Sequence, residues 1–188
     1  SRAEHHAVSK TAEQLEQYFN IHVEWLPLDS RGMVTSKAMR HAVCDATALA
    51  SVMLANNEIG TINPIAELAA ICHEQGILFH TDAVQAAAYL DVNVQSLCVD
   101  MLSLGAHKFY GPKGIGALYV KKGTSLLPSQ TGGGQEFGLR AGTQNVPYIV
   151  GFAEALRLAK EERGQRVAHV QPLRDQIIGR VLEEIPDS

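Results

Sequence analysis

The sequence SLGAHKFYGPKG at residues 103–114 decides how the rest of the chain is interpreted. An apolar run over 101–106 predicts a buried strand, and the glycines and proline of 111–114 predict a tight turn before a second strand over 115–120. Lys108 lies where the first strand ends. It is either a solvated lysine on a turn or a reactive amine, because lysine becomes a Schiff-base nucleophile when its surroundings lower its pKa. The stretch alone leaves both interpretations open.

The composition indicates an ordinary globular protein. The 188 residues include 46% hydrophobic residues and carry a net charge of −4, which argues against a nucleic-acid or membrane partner. No apolar run approaches the roughly 20 residues that span a bilayer, and the start of the chain lacks a signal-peptide pattern. Three widely spaced cysteines favour a reducing compartment over a disulfide framework, so we expect a cytoplasmic protein.

Strand and helix patterns alternate along the chain. This alternation predicts an α/β fold with a mostly parallel sheet flanked by helices. Helices are predicted over 7–20, 36–43 (capped by Ser36), 64–76, a short segment before Asp91, and from 147 onward with a break near Pro172. Strands are predicted over 21–28, 48–55, 77–81, 101–106 and 115–120.

Polar residues follow three of the predicted strands. They are Asn57 within the segment 56–58, Asp82 together with Gln85, and the pair His107-Lys108. Ligands in parallel α/β sheets bind beyond the carboxyl ends of the strands, so we expect these side chains to converge. A lysine, an aspartate, an amide and a histidine fit pyridoxal phosphate (PLP), which needs an amine for its aldehyde, a carboxylate for its pyridine nitrogen and donors for its phosphate.

Two motifs give the sequence a family resemblance. HTDAVQ at 80–85, followed by AHKFYGPKG at 106–114, resembles the cysteine desulfurases in the class V aminotransferase branch of fold-type I PLP enzymes. Three further segments match in the same order: EHHAV at 4–8, NNEIG at 56–60, and GGGQE with RAGT within 132–143. The resemblance implies a large domain like that of aspartate aminotransferase, with PLP as cofactor, and a homodimer.

The resemblance also implies a role for each matching residue. Lys108 would carry the Schiff base, and His5 would stack on the ring face, so these two are the catalytic candidates. Asp82 would pair with the pyridinium nitrogen. Gln85 would donate a hydrogen bond to the ring's phenolic oxygen.

Three further residues would contact the phosphate or lie near the substrate. By resemblance, His107 would help to hold the phosphate and Asn57 would lie near the ring and the substrate carboxylate. Thr143 would reach the phosphate of the partner subunit's cofactor in family dimers. Gly105 departs from the family, which often has serine or threonine there as a phosphate contact.

Taken singly, most of these residues also permit a structural interpretation. His5 could be a solvated histidine, His80 and His107 could be structural, and Asp82 could cap a helix. Cys72 lies on the buried stripe of a predicted helix and is interpreted as a packing residue. No pair of histidines or cysteines has the spacing of zinc ligands, so no metal is expected.

The ends of the chain predict an internal fragment. By resemblance, a phosphate-binding loop should precede Ser1, and a nucleophilic cysteine loop and a carboxylate-binding arginine should follow Ser188. Residues 1–146 are interpreted as a partial PLP-binding large domain. Residues 147–188 are interpreted as a long helix that leads towards the missing small C-terminal domain.

The implied activity is PLP-dependent removal of sulfur from L-cysteine. The products would be L-alanine and an enzyme-bound persulfide for iron–sulfur cluster or thio-cofactor assembly through a sulfur-acceptor protein. The fragment alone is expected to be inactive. The alternatives are a selenocysteine lyase or a cysteine sulfinate desulfinase of the same branch, or a non-catalytic truncated scaffold.

Overall fold

A computed structural model describes residues 1–187. The helices are α1 (His6–Phe19), α2 (Ser36–Ala42), α3 (Ile65–His73), α4 (Val94–Leu97) and α5 (Val146–Glu184). The strands are β1 (Leu49–Ser51), β2 (Leu78–Asp82), β3 (Met101–Gly105) and β4 (Gly116–Val120). Short 3-10 turns cover Ala106–Phe109 and Glu136–Gly138.

The four strands form one sheet in the order β1-β2-β3-β4. β1 and β2 pair in parallel, with Ala50 opposite Phe79, and β2 and β3 pair in parallel, with Asp82 opposite Ser103. β4 returns antiparallel to β3 after the tight turn, with Tyr119 opposite Leu102. The predicted mostly parallel α/β architecture is confirmed.

The hydrophobic core lies where α2 and α3 pack on the parallel strands. Leu68 and Cys72 of α3 are fully buried with Met39 of α2 and Phe79 of β2. Burial raises the pKa of the Cys72 thiol to about 11, which keeps it protonated. The prediction that Cys72 is a packing residue is confirmed.

Three expectations about the first half of the chain were wrong. Residues 21–28 form no strand: none of the four strands described in residues 1–187 pairs with them, and an isolated bridge joins Leu28 to Val34. The helix predicted before Asp91 is a series of turns. The cap of α2 is Thr35, not Ser36, since the Thr35 hydroxyl accepts the N–H of Ala38 at 3.2 Å.

The break predicted near Pro172 is also wrong. α5 runs from Val146 to Glu184 with Pro172 in its interior. Proline lacks an N–H, so the carbonyl of Ala168 loses its usual helical partner. Hydrogen bonding on both sides of that gap is sufficient for the helix to continue. The proposed division of the chain at residue 147 stays a prediction.

None of the helices described in residues 1–187 is long and apolar enough to cross a bilayer.

Candidate active site at the strand ends

The ends of β1, β2 and β3 meet at one edge of the sheet. Beyond the last residue of β1, the N–H of Leu54 donates to the carbonyl of Asp82 at 2.9 Å. On the other side, the N–H of Ala83 donates to the carbonyl of Ser103 at 3.0 Å. These bonds bring the segments after the three strands next to one another, as the sequence analysis predicted.

Lys108 is presented by a short turn that directly follows β3. Its neighbours Ala106 and Phe109 are buried, at 0% and 1% exposure, while Lys108 itself is exposed. The Phe109 ring packs edge-on against Phe152 of α5, with 5.2 Å between the ring centroids. Buried residues on both sides therefore fix the turn, while Lys108 itself stays exposed.

His107 packs against Gly105, the position that departs from the family pattern. A Cβ added at Gly105 would lie 3.1 Å from Cγ1 of Val84 and 3.2 Å from Cε1 of His107. Both distances are tighter than ordinary van der Waals contact. A serine or threonine at residue 105 would therefore crowd the His107 ring. The observed position of His107 thus depends on glycine at residue 105.

Asp82 ends β2 as a buried carboxylate with a single hydrogen-bond partner. It is 6% exposed, and its Oδ1 accepts the N–H of Val84 at 2.9 Å. Within residues 1–187 no lysine, arginine or histidine forms an ion pair with it. It does not cap a helix, because turns follow. A buried carboxylate is costly without a cationic partner, which a protonated pyridine nitrogen would supply.

Gln85 has an unused polar atom beside Asp82 in the sequence. Its Oε1 is buried and has no hydrogen-bond partner. Buried amide oxygens are nearly always paired in native proteins, so this atom indicates a missing ligand or water. The carboxylate of Asp82 fits the protonated ring nitrogen of PLP, whereas the unpaired Oε1 of Gln85 is an acceptor and needs a hydrogen-bond donor.

His80 joins the three parallel strands, which is the structural role left open for it by the sequence, with partners that the sequence did not reveal. Its Nδ1 lies 2.8 Å from Ser51 Oγ of β1, and its Nε2 lies 2.9 Å from Ser103 Oγ of β3. Burial lowers the pKa of His80, and the negative charge of Asp82 opposes this only in part. The signal in the sequence was a serine on each neighbouring strand, but only the strand register shows that they face His80.

The N-terminal segment lies against the loop after β1. The amide Nδ2 of Asn56 donates to the carbonyl of Ala3 at 2.8 Å, which ties the two segments together. His5 and Asn57 line one shallow depression between them. Nδ1 of His5 accepts the N–H of Ala7 at 3.1 Å and begins α1, which leaves the exposed ring available for stacking.

Two groups of predicted site residues lie outside the depression that His5 and Asn57 line. Lys108, Asp82 and Gln85 do not line the depression that contains His5 and Asn57. Thr143 is exposed in the loop before α5, and its predicted contact concerns a partner subunit, so its role stays a prediction. Among the described residues, no group of three or more His, Cys, Asp or Glu side chains is placed to hold a metal ion.

Comparison with known proteins identifies the family of the chain. A family model described as aminotransferase class-V matches residues 1–187, and the chain belongs to that family. Within it, the chain resembles enzymes of the IscS and NifS type. It is 46% identical over 187 residues to the cysteine desulfurase IscS of Clostridium botulinum, covering 100% of this chain and 47% of that protein. It is 42% identical over 184 residues to the mitochondrial cysteine desulfurase of Saccharomyces cerevisiae, covering 97% and 37% respectively.

Solved structures show the same similarity. A NifS-like protein superposes with a TM-score of 0.92 at 41% identity, over 96% of this chain and 50% of that one. A structure described as SspA in complex with cysteine gives a TM-score of 0.80 at 42% identity, over 84% and 46%. The predicted family and fold are confirmed. The chain spans about half the length of the relatives it matches.

Proposed function

We propose that the protein containing these residues is a PLP-dependent cysteine desulfurase. It would take sulfur from L-cysteine, leave L-alanine and hold the sulfur as an enzyme-bound persulfide. The observation that carries the proposal is the placement of Lys108 and Asp82 at neighbouring strand ends: an exposed lysine directly after β3 and a buried carboxylate without a cationic partner at the end of β2. The family of the chain and its relatives' descriptions support the same reaction.

The residues at the strand ends divide the work of binding and proton transfer. Bound PLP supplies an electron-accepting ring that stabilises charge developing on the substrate's α-carbon. Lys108 would hold the cofactor through its Nζ and, when displaced by the substrate amine, accept the α-proton at the same atom. Asp82 would keep the ring nitrogen protonated, because its charge lies buried and otherwise unpaired.

The other residues would orient the ring and the phosphate. The side-chain NH2 group of Gln85 would donate to the phenolic oxygen, and His107, packed on Gly105, would contribute to the phosphate contact. His5 would stack on the ring face and Asn57 would lie near the substrate carboxylate; both line a depression that Lys108, Asp82 and Gln85 do not line, so these two roles rest on the family resemblance. Stacking excludes water from one face of the ring and so strengthens the other polar contacts.

The cofactor assignment is tested by trapping the lysine. The chain is mixed with PLP, reduced with borohydride and digested, and the pyridoxyl mass is located among the peptides. We expect the label on Lys108 and its loss in Lys108→Ala. Lys113→Ala is the matched control, because Lys113 is an exposed lysine in the following turn. Equal labelling of Lys108→Ala and the parent chain would overturn the assignment of Lys108.

The reaction is tested with the complete protein. We expect L-alanine and sulfide from L-cysteine in the presence of a thiol reductant, and a fall to background in Lys108→Ala. Selenocysteine turnover without cysteine turnover would indicate a selenocysteine lyase, and sulfite release from cysteine sulfinate would indicate a desulfinase. PLP labelling without turnover of any of the three substrates by the complete protein would favour a non-catalytic scaffold. Residues 1–188 alone are expected to bind PLP weakly and to release no sulfur.

The proposal extends to partners and location. We infer a homodimer in which Thr143 reaches the phosphate of the partner subunit's cofactor, a sulfur-acceptor protein that serves iron–sulfur cluster or thio-cofactor assembly, and a cytoplasmic site of action. Sedimentation of the complete protein tests the first inference. Thr143→Ala should then weaken PLP retention without changing the dimer.

A further inference from the structure

One side chain from each of the three parallel strands takes part in a single hydrogen-bonded row. Ser51 of β1 and Ser103 of β3 bond to opposite nitrogens of His80 of β2, at 2.8 and 2.9 Å. The same three strands lead directly into the segments that carry Asn57, Asp82 and Lys108. The row therefore lies just behind the strand ends that present the candidate site.

His80 and Asp82 lie on the same face of β2, because side chains two residues apart in a strand point the same way. Among the described residues, Asp82 is the charged group that acts on His80, and the side chains bonded to it from β1 and β3 are neutral serines. Burial lowers the pKa of His80, so the ring stays neutral near pH 7. A neutral imidazole has one donor and one acceptor and satisfies both hydroxyls at once.

We propose that His80 is a positioning residue for Asp82. By bridging Ser51 and Ser103, it keeps the spacing of the three strand ends. Because its ring is neutral, it adds no second cation beside the Asp82 carboxylate to compete with the ring nitrogen of PLP. This inference depends on the proposed function, because it concerns how Asp82 meets the pyridine nitrogen of bound PLP. The row holds the backbone of β2 on both sides at the position two residues before Asp82. Without it, water would enter beside the carboxylate and weaken its hold on the ring proton.

The test measures the protonation of the ring nitrogen directly. The complete protein is loaded with PLP labelled with 15N in the ring, and the 15N chemical shift is followed against pH. His80→Phe keeps a ring of similar size and removes both hydrogen bonds, whereas His80→Gln keeps one donor and one acceptor. We expect the midpoint of ring protonation to fall by about one pH unit in His80→Phe, a tenfold change, and to stay close to the parent value in His80→Gln.

One further variant keeps the test decisive. The double variant Ser51→Ala, Ser103→Ala removes the same hydrogen bonds but keeps the imidazole, and should lower the midpoint as much as His80→Phe does. It carries the test if His80→Phe does not fold. A residue that only stabilised the sheet would lower the melting temperature and leave the midpoint unchanged, and that result would overturn the inference.

Asp82→Asn separates this inference from the proposed function. If the ring nitrogen is protonated in the parent protein and loses its proton in Asp82→Asn, the assignment of Asp82 holds. Unchanged midpoints in His80→Phe and in the serine double variant would then refute only the role of His80. If Asp82→Asn has no effect, or the parent protein binds no PLP, the proposed function itself fails.

Discussion

Residues 26–109, here called the packed region, differ sharply from residues 110–187, the trailing region. The packed region contains nearly all of the core, including Phe79, Leu68 and Leu102, which are 0 to 2% exposed. In the trailing region Ala159 is the one residue that is buried, while Phe137 is fully exposed and Ile177 is 65% exposed. The strand ends that carry Asp82, Gln85 and Lys108 belong to the packed region.

The difference shows that the candidate site is held by one half of the chain. Packing of α2 and α3 on the parallel strands fixes the strand ends. The trailing region contacts the packed region through β4, which pairs with β3 along Gly116–Val120, whereas α5 meets it around one small apolar patch. In that patch, Phe152 and Ala159 of α5 pack on Phe109, directly after Lys108. α5 therefore supports the turn that presents the lysine, although most of its own length lies in solvent.

Two glycines make the close approach of α5 possible. A Cβ at Gly111 would lie 3.2 Å from the Cβ of Ala155 in α5, and a Cβ at Gly151 of α5 would lie 2.8 Å from Cγ of Pro112. Both distances are shorter than carbon atoms tolerate without movement. The contact between the two regions thus depends on missing side chains as well as on Phe109 and Phe152.

The largest expected effect contrasts two phenylalanines. Phe79→Ala removes a fully buried ring and should lower the free energy of unfolding by about 3–5 kcal/mol, whereas Phe137→Ala in the trailing region should change it by less than about 0.5 kcal/mol. Denaturant titration followed by circular dichroism measures both. Comparable losses in the two variants would contradict the division into a packed and a trailing region.

A smaller effect is expected at Asp100, which links the regions. This 5% exposed carboxylate accepts hydrogen bonds from His73 Nε2 at 2.7 Å, from the N–H of Phe79 at 2.9 Å, and from Lys121 Nζ of the trailing region at 3.4 Å. Burial raises the pKa of Asp100, but the hydrogen bonds from His73, Phe79 and Lys121 outweigh burial, so the net pKa is lowered.

A folded-state pKa below the unfolded value of about 3.9 stabilises the protein above that pH, and this contribution is lost as pH falls through the lowered pKa. Asp100→Asn should therefore cost about 1–3 kcal/mol near pH 7, and the difference from the parent should shrink below about pH 4. Asp91→Asn is the control, since Asp91 is 67% exposed and pairs with Arg163 at 3.5 Å. A pH-independent loss in Asp100→Asn would exclude this explanation.

The smallest expected effect tests the patch itself. Gly151→Ala and Gly164→Ala are the same substitution in the same helix, but a Cβ at Gly164 meets no heavy atom within 4 Å. Gly164→Ala should stabilise the chain by about 0.5–1 kcal/mol through helix propensity. Gly151→Ala should instead destabilise it by about 1 kcal/mol, because crowding against Pro112 costs about 1–3 kcal/mol and exceeds that gain.

Hydrogen exchange of the α5 amides separates the two variants further. Faster exchange at the start of α5 in Gly151→Ala, with no change in Gly164→Ala, would confirm that the patch anchors the helix. Stabilisation by both alanines would show that α5 does not depend on close contact with the Lys108 turn.

Much of the fold could be predicted from local patterns. The buried stripe of α3, the turn that reverses β3 into β4, and the placement of Asp82 and Lys108 at strand ends all follow from side-chain periodicity and from glycine and proline. Residues 21–28 show the limit of this reasoning. They alternate like a strand, but strand formation depends on a neighbouring strand, and the pattern does not reveal whether one is present.

The sequence by itself determined the fold class, the family and the identities of the candidate cofactor residues. Only the tertiary structure decided how those residues are supported. Ser51 and Ser103 lie 29 and 23 positions from His80 in the chain, and the parallel register brings all three into one row. The unpaired amide of Gln85, the crowding of His107 on Gly105 and the packing of α5 behind Lys108 likewise arise between distant segments. Periodicity encodes the face that each residue prefers, whereas contacts of this kind depend on which strands and helices become neighbours.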